Sequence, residues 1–488
     1  MLSGIWKTVL FFSSIFVVYL FGLATDMTWM SLGTDMLDYA MAAENFSPAG
    51  LGGYPLYILL SSLFIKLPSN NFWDMALLSA IATLVASVFI FLTIKKLSKS
   101  ELAAYIGSGA YAASFVIWSQ SVVPEVYSLT ACFGAVALYF VVSRKYLATS
   151  VVLAFGLGTH PLIVFFLAPI LVYFLYEVGF KQTLRYTAIV SCGFLLFLFQ
   201  AFAPSVYNID SRGIVESITI TAQVCQGIGA IPIWPLGPLG ERLLEFFILV
   251  FASFGPLVFL TLFTTVGRIE KLLWSIIILV SLLYLTTIHW QWVTYLSSAF
   301  VPLSVLIGLG VVRLPYRRLA YASLALVIVF LGFNLFTYDI GRTVDKNEET
   351  TAREFVNSLS EYDSNDILLF TTWSQGYLAA RYYSANDNYA PTILFYNCVL
   401  IDWSRPKYTK ELAKIGIDLP YLENEEPWLD EELLDFITEF SNKNPDRSLY
   451  VSYLKEATPA MRFDLISASE YRLELNDCTL KSSTDNER

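Results

Sequence analysis

Four carboxylates crowd one stretch near the start of the chain, and no base accompanies them. Between Ala24 and Tyr57 (ATDMTWMSLGTDMLDYAMAAENFSPAGLGGYPLY) stand Asp26, Asp35, Asp38 and Glu44, with no Lys or Arg. Ionisable groups beside a membrane surface are costly to desolvate, so acids without counter-charges mark a candidate site. The competing reading is that they solvate a loop and hold it outside. A carboxylate beside a hydroxyl can take its proton as the oxygen attacks, a contribution of roughly 10²–10⁴-fold. Asp35 and Asp38 lie at i and i+3, one face of a helix, and Asp35 is the first choice as base. Glu125 directly follows Pro124 and opens a later helix, where it could equally complement the helix dipole. Asp38 and Glu125 would position the base, bind an acceptor or, with Asp35, hold a hard divalent cation such as Mg or Mn. For an anionic leaving group the candidates are His160, beside Pro161 at a helix break, and the arginines Arg242 and Arg212. Arg–phosphate pairs are strong and often bidentate. Against that, Arg242 at the start of a span could simply snorkel to the interface, and His160 could simply satisfy local backbone.

The elements that must position these residues are membrane helices. Hydrophobic residues make up 56% of the 488 and charged ones 15%, with a mean hydropathy of +0.57, values of a polytopic membrane protein. Apolar runs long enough to span, or to be split into spans, fall at 5–24, 73–95, 101–122, 126–143, 147–159, 161–177, 184–203, 243–266, 271–288, 292–312 and 318–337. The pair 147–159 and 161–177 is one long run broken at Gly158-Thr-His-Pro161. The apolar segment 53–68 is too short before Pro68 and reads as an interfacial or re-entrant helix of the first outer loop, 24–72.

Charge then chooses the orientation. With the N-terminus inside, thirteen Lys and Arg before residue 339 fall on the cytoplasmic side and only Lys66, Arg212 and Arg242 outside. Such a bias predicts a cytoplasmic N-terminus and an extracytoplasmic tail. Ten of the thirteen acids in the same stretch, Asp35, Asp38 and Glu125 among them, then fall outside. The second large outer loop, 204–242, is rich in Gly and Pro, and long loops of this kind are usually functional.

The chain divides by composition into 1–338, with 13 acids and 16 bases (net +3), and 339–488, with 28 acids and 15 bases (net −13). An acidic tail argues against nucleic acid as a partner. Within it, 351–361 reads as a surface helix, 365–373 and 392–401 as strands, 376–384 as a helix between them and 423–440 as an acidic amphipathic helix. That order predicts a small α/β domain, with 481–488 frayed. The five cysteines form no CxxC pair. Cys132 and Cys192 lie in apolar runs and read as buried, while Cys398 and Cys478 share the tail and could pair in an oxidising compartment. Two histidines exclude a His-rich metal site, and no P-loop, GxGxxG, GxSxG or HExxH occurs.

Several segments together carry a resemblance. TDMLDYAMAA (34–43) followed by GYPLYILLSSLF (53–64) resembles a D-x-x-E-F … H-P-P-G-x-P-L motif, AASFVIWSQSVVPEVYSL (112–129) a W-S-Q-x-x-x-x-E-V-Y segment, and GLGTHPL (156–162) a G-L-x-x-x-H stretch. All belong to the family catalogued as domain of unknown function 2723, which includes protein O-mannosyltransferases and sits in the GT-C superfamily of membrane glycosyltransferases. More loosely, 366–383 and 392–403 resemble the end of bacterial members. Two departures stand out: Gly50-Leu51-Gly52 replaces the H-P-P of the motif, and Asp38 replaces its Glu. The resemblance implies an integral, multi-pass GT-C-like enzyme of about eleven transmembrane helices with a C-terminal extracytoplasmic α/β domain, in the cell membrane of a prokaryote. It implies transfer of a sugar, mannose among the candidates, from a polyprenyl- or dolichyl-phosphate donor to a protein, lipid or glycan acceptor such as a Ser/Thr hydroxyl. Asp35, Asp38 and Glu125 fall on the family's acids, and His160 on its histidine. The rival reading is a secondary transporter or flippase-like protein without transferase activity. Transporters of that kind usually show internal repeats and charges at the bilayer midplane, and neither is evident here.

Overall fold

The computed structural model describes residues 2–25, 36–45, 53–197, 239–286, 292–334, 357–370, 391–395, 405–420, 430–454 and 463–469, with isolated positions 49, 336 and 355. Asp35, Arg212, most of the 204–242 loop, the 376–384 segment, Cys398, Cys478 and 481–488 lie outside them. The chain falls into two compact units, divided at 345/346.

The first unit is helical. Its elements are α1 (Leu2–Gly22), α2 (Met36–Asn45), α3 (Pro55–Phe64), α4 (Asn71–Ser98), α5 (Glu101–Ala113), α6 (Phe115–Ser121), α7 (Val126–Val142) and α8 (Tyr146–Leu157). After a 3₁₀ turn at Pro161–Ile163 come α9 (Val164–Val178) and α10 (Phe180–Ser191), the latter running into 3₁₀ turns as far as Phe197. The unit ends with α11 (Leu239–Phe254), continued as 3₁₀ turns through Gly255–Phe263, then α12 (Arg268–Thr286), α13 (Trp292–Tyr295), α14 (Ser297–Val311) and α15 (Arg317–Asn334).

Every apolar run read from the sequence is helical where it is described, but the runs are not all straight spans. Among the described residues five helices are long and apolar enough to cross a membrane, or six if a bent pair counts as one. The segment 53–68 forms only the ten-residue α3, too short to span. The bent pair is α5 and α6, expected as one run over 101–122 and angled here by 63° at Ser114. A break at bilayer depth frees carbonyls that lipid cannot satisfy. Here the Tyr19 hydroxyl on α1 donates to Ala112 O at 2.7 Å, and the Asn334 side-chain amide on α15 donates to Ala113 O.

Ends are set by local chemistry. Asn70 caps α4, its Oδ1 accepting from Trp73 N at 2.8 Å. Ser100 caps α5, accepting from Ala103 N at 3.2 Å, and Lys95 at the end of α4 pairs with Glu101 in the first turn of α5 at 2.6 Å. Helix α4 packs on α5 and α7, with α14 closing against the same group. Its Ser79, Thr83 and Ser87, one turn apart, are buried, and the Thr83 and Ser121 hydroxyls bond at 2.7 Å. Cys132 is buried as expected, but Cys192 is exposed; an apolar run in a membrane protein can meet lipid as well as protein.

The second unit holds a four-stranded sheet in the order β2-β1-β3-β4, from β1 (Asp366–Phe370), β2 (Thr392–Phe395), β3 (Ser448–Leu454) and β4 (Phe463–Ser467). The β1–β2 and β1–β3 pairs are parallel and β3–β4 is antiparallel. The acidic helix lies at Asp430–Lys443 and buries Phe436, Ile437 and Phe440 against the sheet residues Ile367, Leu369 and Val451. Parallel neighbours require crossovers, which agrees with the α/β order read from the sequence. The last two strands were not anticipated.

Candidate functional site

Two backbone irregularities build the site. At the entry to α3, Gly53 (φ 66°) and Tyr54 (φ 42°) both adopt the left-handed region before Pro55. Proline at the first helical position fixes φ where its missing N–H costs nothing. Gly53 N donates to Ala49 O at 2.8 Å, closing the loop behind it. The second irregularity is the break between α8 and α9. There Gly158 O accepts from Leu56 N at 2.8 Å, docking the Tyr54 turn onto the break. A Cβ at Gly158 would lie 3.0 Å from Leu56 Cβ and 2.6 Å from Leu196 Cδ1, so this approach requires glycine. Thr159 ties the break to α7, its hydroxyl accepting from that of Thr130 at 3.1 Å.

His160 is thereby set among tyrosine rings. Its imidazole stacks on Tyr54, with centroids 5.5 Å apart and planes 7° apart. Tyr127 lies 5.1 Å away and Tyr295 6.3 Å, both tilted. Tyr39 on α2 bridges Tyr54 at 5.7 Å and Tyr57 at 5.1 Å, edge to face. His160 Nδ1 accepts from Leu162 N at 3.1 Å, so the neutral ring carries its proton on Nε2 and can donate it. Burial lowers the His160 pKa to about 3, so it would meet a phosphate as a neutral donor rather than as a cation.

Two of the carboxylates are buried. Asp38, in the first turn of α2, is 2% exposed and Glu125, at the N-terminus of α7, is 1% exposed. An acid that only solvated a loop would sit in water, and neither does. Glu44, at the other end of α2, is exposed and accepts from the Asn71 side chain. Ser79 brackets the Glu125 backbone, accepting from its N–H at 3.2 Å and donating to its carbonyl at 3.3 Å. Glu125 lies close to Tyr57 and Tyr127. Two acids from distant segments are thus buried, and Glu125 adjoins the rings. Among the described residues no three His, Cys, Asp or Glu side chains come together as a metal site; Asp35, a member of the candidate cation set with Asp38 and Glu125, lies outside them.

Arg242 stands on a separate wall, in the first turn of α11, half-buried, with Nη1 donating to Tyr284 O at 3.5 Å. From Phe246 onward α11 and α12 line an open apolar cleft of about 850 Å³, with Phe246, Val250, Phe251, Trp274 and Ile277 on its walls and Leu303 from α14. Helix α6, which carries the W-S-Q sequence, packs on both α7 and α11, and so joins the acid-bearing wall to the Arg242 wall. Sequence reasoning missed Tyr39, Tyr54, Tyr57, Tyr127 and Tyr295. The available signal was tyrosine beside each quoted motif (D-Y, G-Y-P-L-Y, E-V-Y), although Tyr295 carried none.

The helical unit has a fold known from solved membrane-protein structures. The chain superposes on crystal structures of ArnT from Cupriavidus metallidurans. Against the apo state the TM-score is 0.53 at 10% identity, covering 86% of this chain and 97% of that one. Against the form bound to undecaprenyl phosphate it is 0.52 at 12% identity, covering 86% and 96%. In sequence, residues 35–184 match the family model described as the protein O-mannosyl-transferase TMEM260 N-terminal domain. The protein O-mannosyl-transferase TMEM260 of Mus musculus is 30% identical over 139 residues, and that of Dictyostelium discoideum 27% over 111. These matches span 27% and 22% of this chain but only 19% and 14% of those relatives' lengths. The matched segment contains Asp35, Asp38, Glu125 and His160, and it resembles that family as the sequence motifs indicated.

Proposed function

We propose that this protein transfers a sugar, mannose in the first instance, from a polyprenyl- or dolichyl-phosphate carrier to an extracytoplasmic acceptor such as a protein Ser/Thr hydroxyl. The observation that carries this reading is that two carboxyl groups from distant segments, Asp38 and Glu125, are both buried, Glu125 close to Tyr57 and Tyr127 of the cluster around His160. The family match over 35–184 supports the sugar and the acceptor, and the undecaprenyl-phosphate-bound ArnT of like fold supports the carrier.

In the reaction a first-loop aspartate, Asp35 or Asp38, takes the acceptor proton. The acceptor oxygen bonds to the anomeric carbon as the bond from that carbon to the carrier phosphate breaks, its electron pair leaving on the phosphate. Glu125 holds the acceptor or the base in place. Arg242 and Arg212 stabilise the departing phosphate, with His160 donating through Nε2. The apolar cleft between α11 and α12 takes prenyl units of the carrier, since an apolar space suits a hydrocarbon chain.

Membranes carrying the protein, given polyprenyl-phosphate mannose labelled in the sugar, should transfer label to a macromolecule. Asp35→Asn and Asp38→Asn, expressed at normal level, identify which aspartate is the base by the larger loss. Full transfer in both variants would refute a first-loop base. The N-in, C-out orientation belongs to the same reading. An impermeant thiol reagent on intact cells should label a cysteine placed at Ser483 and not one at Ser3; the reverse pattern would invert the topology.

A further inference from the structure

Tyr54 occupies a backbone position that suits glycine. Its φ of 42° and ψ of 53° lie in the left-handed region, which bulky residues rarely enter. Two other described non-glycine residues share a positive φ, Lys99 and Arg144, and both stand where a helix has just ended, a usual place for that conformation. Tyr54 instead opens a helix, and its side chain makes no capping bond there. Strain of this sort persists where the surroundings hold it and tends to collect at functional sites. What the conformation achieves is a ring laid flat on His160, 5.5 Å away and 7° from parallel.

The surrounding rings divide into a floor and a rim. Tyr39, Tyr57 and Tyr127 are buried, while Tyr54, His160 and Tyr295 keep part of their surface open. Tyr54 lies 5.5 Å and Tyr295 6.3 Å from His160, so the three open rings adjoin one another. A pyranose has an apolar face of C–H groups and a polar edge of hydroxyls. Aromatic faces suit the first through weak C–H contacts and burial.

We infer that the Tyr54–His160–Tyr295 rim, near Glu125, is the subsite that holds the hexopyranose ring of the lipid-linked donor. The tyrosine at position 54 is therefore kept for its ring against the preference of its own backbone. This rests on the proposed donor chemistry, and it adds where the sugar, as distinct from the lipid phosphate, is recognised.

The test compares two probes on the purified full chain: polyprenyl-phosphate mannose and bare polyprenyl phosphate. Tyr54→Gly removes the ring and relieves the left-handed backbone. It should weaken binding of the mannosylated lipid by up to about tenfold, the range of one aromatic contact, leave the bare lipid unchanged, and not lower the melting temperature. Tyr54→Phe should bind both probes like wild type. If Tyr54→Gly lowered the melting temperature, Tyr295→Leu on the opposite side of the rim replaces it, with the same discrimination expected. Equal loss for both probes, or no loss for either, would overturn the subsite. So would a wild-type chain that binds both lipids equally well, although the donor-lipid reading would survive that result. A wild-type chain that binds neither lipid would defeat the donor-lipid reading itself, and the subsite with it.

Discussion

At the scale of single residues, the decisive feature is that charge has been buried without bulk water to support it. Asp38 and Glu125 are both buried, Glu125 near Tyr57, where each carboxylate is costly to keep unless it serves a purpose. Asp38→Asn and Glu125→Gln keep shape and remove the charge. The variant that removes the base should lower the transfer rate by roughly 10²–10⁴-fold, while one that removes a positioning acid should act mainly on acceptor KM. Steady-state kinetics with labelled donor separates the two. His160 yields a pH prediction. Its folded pKa of about 3 lies below the ordinary 6.5, so between those values the unfolded chain holds a proton that the folded chain lacks. Stability is therefore unaffected by this group above pH 6.5 and falls as the pH drops from 6.5 towards 3. His160→Asn retains an acceptor for Leu162 N–H and should show a shallower loss of melting temperature over that interval. Parallel curves for the two proteins would exclude a buried neutral imidazole.

At the scale of elements, the site depends on helices that end early. α3 stops short of spanning, α8 breaks before His160, and α5 turns by 63° into α6. Each break is held by a distant partner: Leu56 N on Gly158 O, and Tyr19 and Asn334 on the last carbonyls of α5. Replacing Asn334 by Leu leaves the Ala113 carbonyl buried without its donor. The expected cost is about 1–3 kcal/mol, read as a lower melting temperature in detergent. An unchanged melting temperature would mean that another group satisfies that carbonyl. Neither glycine nor proline marks the α5–α6 bend in AYAASFVIWS, so the run read as one span. The break at Gly158-Thr-His-Pro161 was legible because Pro and Gly announce it.

At the scale of the whole molecule, the helical unit presents an acid-lined wall and an apolar one, joined through α6. The cleft between α11 and α12 is the place for a prenyl chain in the proposed reaction. Val250→Trp should fill part of it, weakening binding of long-chain polyprenyl phosphate more than that of a short-chain analogue. Equal effects on both would place the hydrocarbon elsewhere. The sheet unit has its own core around Ile367, Leu369, Phe436 and Val451, so its side chains are ordered by contacts within the unit itself.

Much about this protein was determined by the sequence alone. Span-length apolar runs, the skew of Lys and Arg, and acids gathered before and after the early helices defined a membrane protein with a candidate site in its first loop. Those properties are local or additive, and composition, periodicity and end signals carry them. Only the tertiary structure decided that Asp38 and Glu125 are both buried, that Tyr54 stacks on His160, and that α11, α12 and Leu303 of α14 line one apolar cleft. Each of these joins residues dozens of positions apart, and the steric fit at Gly158, where a Cβ would meet Leu56 and Leu196, shows why. Whether two helix breaks can dock is a matter of packing in three dimensions, which neither segment encodes by itself.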